Sequence, residues 1–331
     1  MTKVKICGIT NLEDALLSAK FGADALGFNF YEKSPRYITS EKAREIIEQL
    51  PAEVLKVGVF VNENLGKIVE IANTAKLDAL QLHGEETPEF ARELKAKTNL
   101  EIIKAFRVSP EFKPEDVTQY EVDAILLDAY NPREHGGTGE TFDWEIAKKV
   151  QEIFPKMYLA GGVANSNVRM AFHHYHPFGI DTCSGVESSK GKKDKIQLIN
   201  FIKRTKVESK RKFGLEIKHI YDLLDAIQPC PAMYLGKYSV TYLSVYLQGI
   251  RMASEIFNKQ FDWKDFLSFE YPKTTYDFRA FLENHLDEML GGYGWDSFIL
   301  KKVDGDEIKA FDLFFALLEE FKLEKEDLGE N

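Results

Sequence analysis

Short apolar, β-branched runs recur eight times along the first two hundred residues, separated by stretches whose apolar positions repeat every three or four. The runs are Val4–Ile9, Ala25–Phe30, Leu55–Val61, Ala79–His83, Glu101–Val108, Ala124–Asp128, Met157–Ala160 and Gly179–Cys183. Runs this short and this continuous are what strands buried on both faces of a parallel sheet require. Between them, Ser40 to Leu50 places Ala43, Ile46, Ile47 and Leu50 on one stripe. Thr87-Pro88-Glu89 offers a cap followed by proline at the first helical position. Phe142 to Ile153 opens on Asp143 and spaces Trp144, Ile146, Ala147 and Val150 helically. Thr10 and Asn11 can each cap a helix beginning at Leu12. Strand and helix alternating eight times predict a (β/α)8 TIM barrel. An open doubly wound sheet is the competing architecture, and it carries a glycine-rich turn after its first strand. Here that turn carries Cys7.

The pattern changes after residue 206. Helical stripes replace the alternation: Leu215 to Ala226, Ser239 to Phe257 (Tyr242, Val245, Tyr246, Ile250, Ala253), Phe278 to Met289, and Lys309 to Phe321. Pro229-Cys230-Pro231 and Gly291-Gly292-Tyr293-Gly294 interrupt them, and Trp295 to Leu300 opens a further element. These predict a small, mostly α-helical C-terminal domain with an aromatic core. The polar, mostly basic run Lys203 to Lys212 reads as the end of one domain and a linker, giving domains 1–206 and 207–331. Charge divides with them. Of the net −10 over 331 residues, nearly all lies in the second domain, whose Asp and Glu show no metal-ligand spacing.

That net charge disfavours nonspecific nucleic-acid binding. No apolar run approaches the ~18 residues of a membrane span, and Val4–Ile6 is too short for a signal-peptide core. Three widely spaced cysteines, Cys7, Cys183 and Cys230, fit a reducing, cytoplasmic setting better than a disulfide framework. His173, His174 and His176 cluster before the eighth strand, at the opposite end from the strand C-termini, and read as surface residues.

Chemistry in such a barrel gathers where the strands end. Those ends carry Cys7, Asn29 with Arg36 beyond it, Asn62, His83, Arg107, Asp128, Gly161-Gly162 and Ser184-Gly185. The turns after strands seven and eight, Gly161-Gly162-Val163 and Ser184-Gly185-Val186, offer free backbone N–H groups where this fold binds phosphate.

Nine motifs, in order, resemble the phosphoribosylanthranilate isomerase family. They are Lys5-Ile6-Cys7-Gly8-Ile9-Thr10, Ala25 to Phe30 with Ser34-Pro35-Arg36, Val57 to Asn62, Gln81-Leu82-His83-Gly84, Lys104 to Arg107, Leu126 to Ala129, Gly136-Gly137-Thr138-Gly139 with Phe142-Asp143-Trp144, Leu159 to Gly162, and Ser184 to Glu187. The resemblance implies an Amadori rearrangement in tryptophan biosynthesis. N-(5-phosphoribosyl)anthranilate would become 1-(2-carboxyphenylamino)-1-deoxyribulose 5-phosphate, with no metal or organic cofactor. It assigns the general base to Cys7 and the general acid to Asp128. The thiol must then lose its proton near neutral pH, and the carboxyl must keep its own through burial or a neighbouring negative charge. Arg36 is implied as partner of the anthranilate carboxylate, with His83 and Arg107 at the substrate and Gly161, Gly162, Ser184 and Gly185 at the phosphate. Glu140, Cys183 and Lys190 depart from the common pattern, and Cys183 reads as packing. In the C-terminal domain, Pro231 to Gly236, Gly294-Trp295 and Phe314–Phe321 resemble small uncharacterised bacterial domains, some of suspected immunity type, which implies no activity. The alternative is a barrel serving as scaffold for a protein-binding helical domain.

Overall fold

The computed structural model describes residues 1–129, 144–174, 177–211, 219–256, 277–286, 290 and 294–327. The chain divides into two units, Met1–Ser209 and Lys210–Asn331.

The first unit is a closed parallel barrel of eight strands in sequence order. The strands are β1 (Lys3–Ile6), β2 (Ala25–Asn29), β3 (Leu55–Phe60), β4 (Ala79–Leu82), β5 (Glu101–Val108), β6 (Ala124–Ala129), β7 (Met157–Leu159) and β8 (Gly179–Thr182). The ladder between β1 and β8 closes it, pairing Lys3 with Gly179 through Ile6 with Thr182. Inside, Ala25, Val57, Ala79, Ile103, Ala105, Ala124, Leu126, Tyr158 and Ala160 form one buried cluster. Several of these are alanines, which leaves room for Tyr158 and for the charged side chains described below.

The helices of this unit are α1 (Leu12–Lys20), α2 (Ser40–Ile47), α3 (Leu65–Ala75), α4 (Pro88–Lys97), α5 (Trp144–Ile153), α6 (Val168–His174) and α7 (Lys195–Arg211). Asn11, not Thr10, caps α1 by accepting from the Asp14 N–H, while the Thr10 hydroxyl donates to the Gly191 carbonyl. Thr87 caps α4 with Pro88 in its first turn. Between β5 and β6 the expected helix shrinks to a 3-10 segment, Pro114–Gln119. Pro110 and Pro114, four residues apart, cannot both sit inside one α-helix.

Lys203 to Arg211 is helix and not an extended linker. It is the last two turns of α7, with Arg204, Thr205, Val207, Glu208 and Ser209 buried. The Ser209 hydroxyl accepts from the Thr2 N–H at 2.6 Å, fastening the helix to the chain start. Long amphipathic side chains made a packed helix look like a solvated tether.

The second unit holds α8 (Ile220–Ile227), α9 (Pro231–Leu235), α10 (Val240–Ile256), α11 (Phe278–His285), α12 (Trp295–Lys301) and α13 (Glu307–Asp327). Its core gathers Leu224, Leu243, Phe278, Phe281, Trp295, Phe311, Phe314, Phe315 and Phe321. Phe314 sits at its middle, edge-on to Phe278 at 5.7 Å and against Trp295 at 4.7 Å. The α10 stripe is shifted from the sequence expectation. Val240, Leu243 and Leu247 are buried, whereas Tyr242 and Val245 are exposed, because a run rich in apolar residues all round does not declare which face packs. Among the described residues no helix is long and apolar enough to cross a membrane.

Candidate active site

The C-terminal ends of the strands surround a cavity of about 540 Å³. Cys7, Arg36, His83, Asp128, Gly161, Gly162, Ser184 and Gly185 all line it. These are eight of the nine residues given a catalytic or substrate role above; Asn29 lines it as well, and Asn62 does not. Arg107 does not line it. It shares the inward-facing register of Ile103 and Ala105, but its guanidinium turns aside to pair with Glu85. Residues 130–143, including the Gly136–Gly139 motif and Glu140, lie outside the described residues, as do the side chains of His173 and His174 and all of His176.

Cys7 follows the last residue of β1, and its N–H donates to the Thr182 carbonyl at 2.8 Å. Gly8 then turns at φ +74°. A Cβ there would stand 2.6 Å from the Arg36 side chain and 2.8 Å from the Cys183 sulfur, so only glycine admits both neighbours. The thiol is held well below its ordinary pKa. The largest cause is a hydrogen bond from the Cys183 thiol; burial opposes it, and Lys5, Lys193 and His83 assist. The same hydrogen bond, with burial, pushes Cys183 well up, so the shared proton stays on Cys183.

Two lysines that the sequence did not single out supply the positive charge. Lys5 is fully buried inside the barrel and pairs with Asp181 at 2.9 Å. Burial works against its charge, but Asp181 and Cys7 outweigh this and hold the ammonium firmly protonated. Burial in turn pushes the Asp181 carboxyl up to about 7, against the pull of Lys5. Lys193 reaches in from a small hairpin, β9 (Glu187–Ser189) and β10 (Lys192–Lys193), that follows β8. Its ammonium donates to the Cys7 carbonyl at 2.6 Å, the Cys183 carbonyl at 3.2 Å and Glu187 at 3.0 Å.

Across the mouth, Asp128 is 5% exposed. Its Oδ1 accepts from the Ala129 N–H at 2.9 Å, and its Oδ2 lies 3.1 Å from His83 Nε2. Gln81 fixes that imidazole by donating its amide Nε2 to His83 Nδ1 at 2.7 Å. The other ring nitrogen, Nε2, is then the donor to Asp128. The loop carrying His83 is tied down by a buried pair: Lys104 donates to Glu86 at 2.8 Å and to the Gly84 carbonyl at 2.7 Å. Glu86 accepts from the N–H groups of Asn62 and Gly84.

Arg36 is buried and grips Glu187 with two parallel bonds, Nε to Oε1 at 2.9 Å and Nη2 to Oε2 at 2.8 Å. This pairing raises the guanidinium's pKa further, and Arg36 and Lys193 hold Glu187 below the usual carboxylate range despite its burial. The Nη1 edge of Arg36 is the side not committed to Glu187. On the remaining flank, Gly161 and Gly162 adopt φ +75° and +69°, and a Cβ on Gly161 would stand 2.4 Å from the Ala129 nitrogen. α6 begins at Val168, six residues after Gly162. Ser184 to Val186 forms a single 3-10 turn. The cavity thus has a thiol and a carboxyl on opposite sides, a guanidinium beside the thiol, and two glycine turns on a third side.

Residues 4–204 match the family model described as N-(5'phosphoribosyl)anthranilate (PRA) isomerase. The chain is 50% identical over 214 residues to N-(5'-phosphoribosyl)anthranilate isomerase of Pelobacter propionicus, covering 64% of this chain and all of that one. Phosphoribosyl anthranilate isomerase of Thermotoga maritima superposes with a TM-score of 0.58 at 47% identity, over 62% of this chain and 99% of that one. A phosphoribosyl anthranilate isomerase in complex with reduced 1-(o-carboxyphenylamino)-1-deoxyribulose 5-phosphate superposes at 0.56 and 45% identity, covering 62% and 99%.

Proposed function

Since the chain belongs to the N-(5'-phosphoribosyl)anthranilate isomerase family, we propose that its first unit catalyses the Amadori rearrangement of N-(5-phosphoribosyl)anthranilate in tryptophan biosynthesis. Asp128 is the general acid. It protonates the furanose ring oxygen, the C1–O bond opens, and the anilino nitrogen's lone pair forms an iminium at C1. Cys7 is the general base. Its thiolate removes the proton from C2, and the electrons flow into the iminium to give an enolamine. That species tautomerises to the ketone. The iminium is the electron sink, so the step calls for no cofactor.

The observation that carries this reading is the opposition of Cys7 and Asp128 across one cavity, with Lys5, Lys193 and Arg36 gathered on the thiol side. Lys5 and Lys193 favour a thiolate where a base is needed. On the other side Asp128 is buried and held in place at both oxygens, by the Ala129 N–H and by His83. The phosphate would take the backbone N–H groups of Gly161, Gly162, Ser184 and Gly185. The anthranilate carboxylate would take the Nη1 edge of Arg36, with Glu187 holding the other edge in register. His83 orients Asp128 and stands close enough to meet the substrate.

Complementation of an isomerase-deficient tryptophan auxotroph by the full chain tests the reading. The wild-type chain is expected to restore growth, and Cys7→Ser and Asp128→Asn are expected to abolish it. A folded, expressed wild-type chain that fails to restore growth would refute the activity. Steady-state kinetics then separate roles: each variant should lose ~10²–10⁴ in kcat with little change in KM.

A further inference from the structure

Cys7 and Cys183 end neighbouring strands in matching register. The β1–β8 ladder pairs Ile6 with Thr182, and the Cys7 N–H extends it by donating to the Thr182 carbonyl. The two cysteines therefore stand side by side, one step past the last pair. Adjacent strands lie ~4.8 Å apart, inside the ~4.4–6.8 Å Cα separation that a disulfide spans. The Lys193 ammonium bridges them, donating to the Cys7 carbonyl at 2.6 Å and lying 4.0 Å from the Cys183 sulfur, and the Cys183 thiol donates to Glu187 Oε1 at 3.7 Å. Both residues line the open cavity, and both are half-buried, free cysteines. Cys230, the third, belongs to the second unit and is buried.

We propose that this pair is an oxidative modification site, at which a hydroperoxide entering the cavity joins Cys7 to Cys183 and halts turnover until a thiol reductant reopens the bond. The Cys7 thiolate attacks one peroxide oxygen, the O–O bond breaks, and water leaves after the departing oxygen takes a proton. Cys7 is then a sulfenic acid. The Cys183 sulfur attacks the Cys7 sulfur, the S–O bond breaks, and hydroxide leaves with the Cys183 proton as a second water. Two thiols lose two electrons and one hydrogen peroxide becomes two waters. Lys193, whose ammonium lies 4.0 Å from the Cys183 sulfur, stabilises the charge that develops there. Formation of the bond does not depend on what Cys7 does in catalysis; the loss of turnover rests on Cys7 being the base.

The test treats the full chain with hydrogen peroxide, then counts free thiols in denaturant and maps peptides by mass spectrometry. Only Cys230 is expected to remain reactive. The Cys7 and Cys183 peptides should be cross-linked, the chain lighter by two hydrogens, and turnover lost and regained with dithiothreitol. Survival of all three thiols, or a cross-link to Cys230, would overturn the proposal. A cross-linked chain that keeps the untreated rate would overturn the shut-off and, separately, the assignment of Cys7 as base. In Cys183→Ser, sustained peroxide should carry Cys7 to sulfinic acid, and dithiothreitol should no longer restore whatever activity the variant began with. Full recovery of that variant would show that Cys183 protects nothing.

Discussion

Replacing Cys183 by alanine removes the hydrogen bond that does most to keep Cys7 ionised, and its effect can be sized. A hydrogen bond to a charged group is worth ~1.5–3 kcal/mol, and a thiol, a weak donor, belongs at the lower end. At ~1.36 kcal/mol per factor of ten, losing about 1.5 kcal/mol raises the Cys7 pKa and cuts the thiolate population on its acid side about tenfold. The thiolate is the active form, so kcat/KM is full above that pKa and falls as pH drops through it. Removing the donor therefore moves the acid limb of the pH–rate profile to higher pH and lowers kcat/KM on that limb about tenfold. Lys5 and Lys193 remain, so the limb should stop short of the free-cysteine value of ~8.5. Cys183→Ser puts a hydroxyl donor in the same place and should return the limb most of the way. The rate of Cys7 carboxymethylation by iodoacetate against pH, read on the Cys7 peptide, reports the same ionisation without turnover. Coincident profiles for wild type and Cys183→Ala would refute the reasoning, leaving the two lysines as the whole cause.

Lys104→Met strands the buried Glu86 carboxylate and the Gly84 carbonyl, both of which Lys104 satisfies. Breaking one partner from a buried pair costs ~3–5 kcal/mol, and chemical denaturation giving a loss under about 1 kcal/mol would contradict that role. Arg36→Met should raise KM at least about tenfold, the loss of one charge-assisted pair, with a smaller change in kcat; the opposite split would place Arg36 in the chemistry instead. Phe314→Ala hollows the second unit's aromatic core and should cost ~3–5 kcal/mol, read as lost hydrogen-exchange protection in α13. Unchanged protection there would mean the core closes around the gap.

The barrel was written in the sequence because both of its periodicities are local. Short two-faced apolar runs and three-to-four-residue stripes follow from which side chains a strand or helix must hide. Asn11, Thr87 and Pro88 marked their helix starts for the same reason. Cys7, His83, Asp128 and the glycine turns were legible as rim residues because the fold puts every strand end at one rim; their roles, and Arg36, came from the resemblance of the motifs that hold them. What surrounds Cys7 was not legible. Lys5 looks like a polar interruption in a strand until closure of β1 on β8 sets it against Asp181. Lys193 is one of several basic residues in a loop, and only the hairpin aims it at the Cys7 carbonyl. Cys183 read as packing; its partnership with Cys7 exists because residues 176 apart in sequence share a register. Arg107 shows the converse, a side chain placed correctly by strand register and then drawn away by Glu85. Sequence by itself determined the strands and the rim on which Cys7 and Asp128 both stand. Tertiary structure decided the charge state of the thiol, because electrostatic neighbours are set by distance through space and not along the chain.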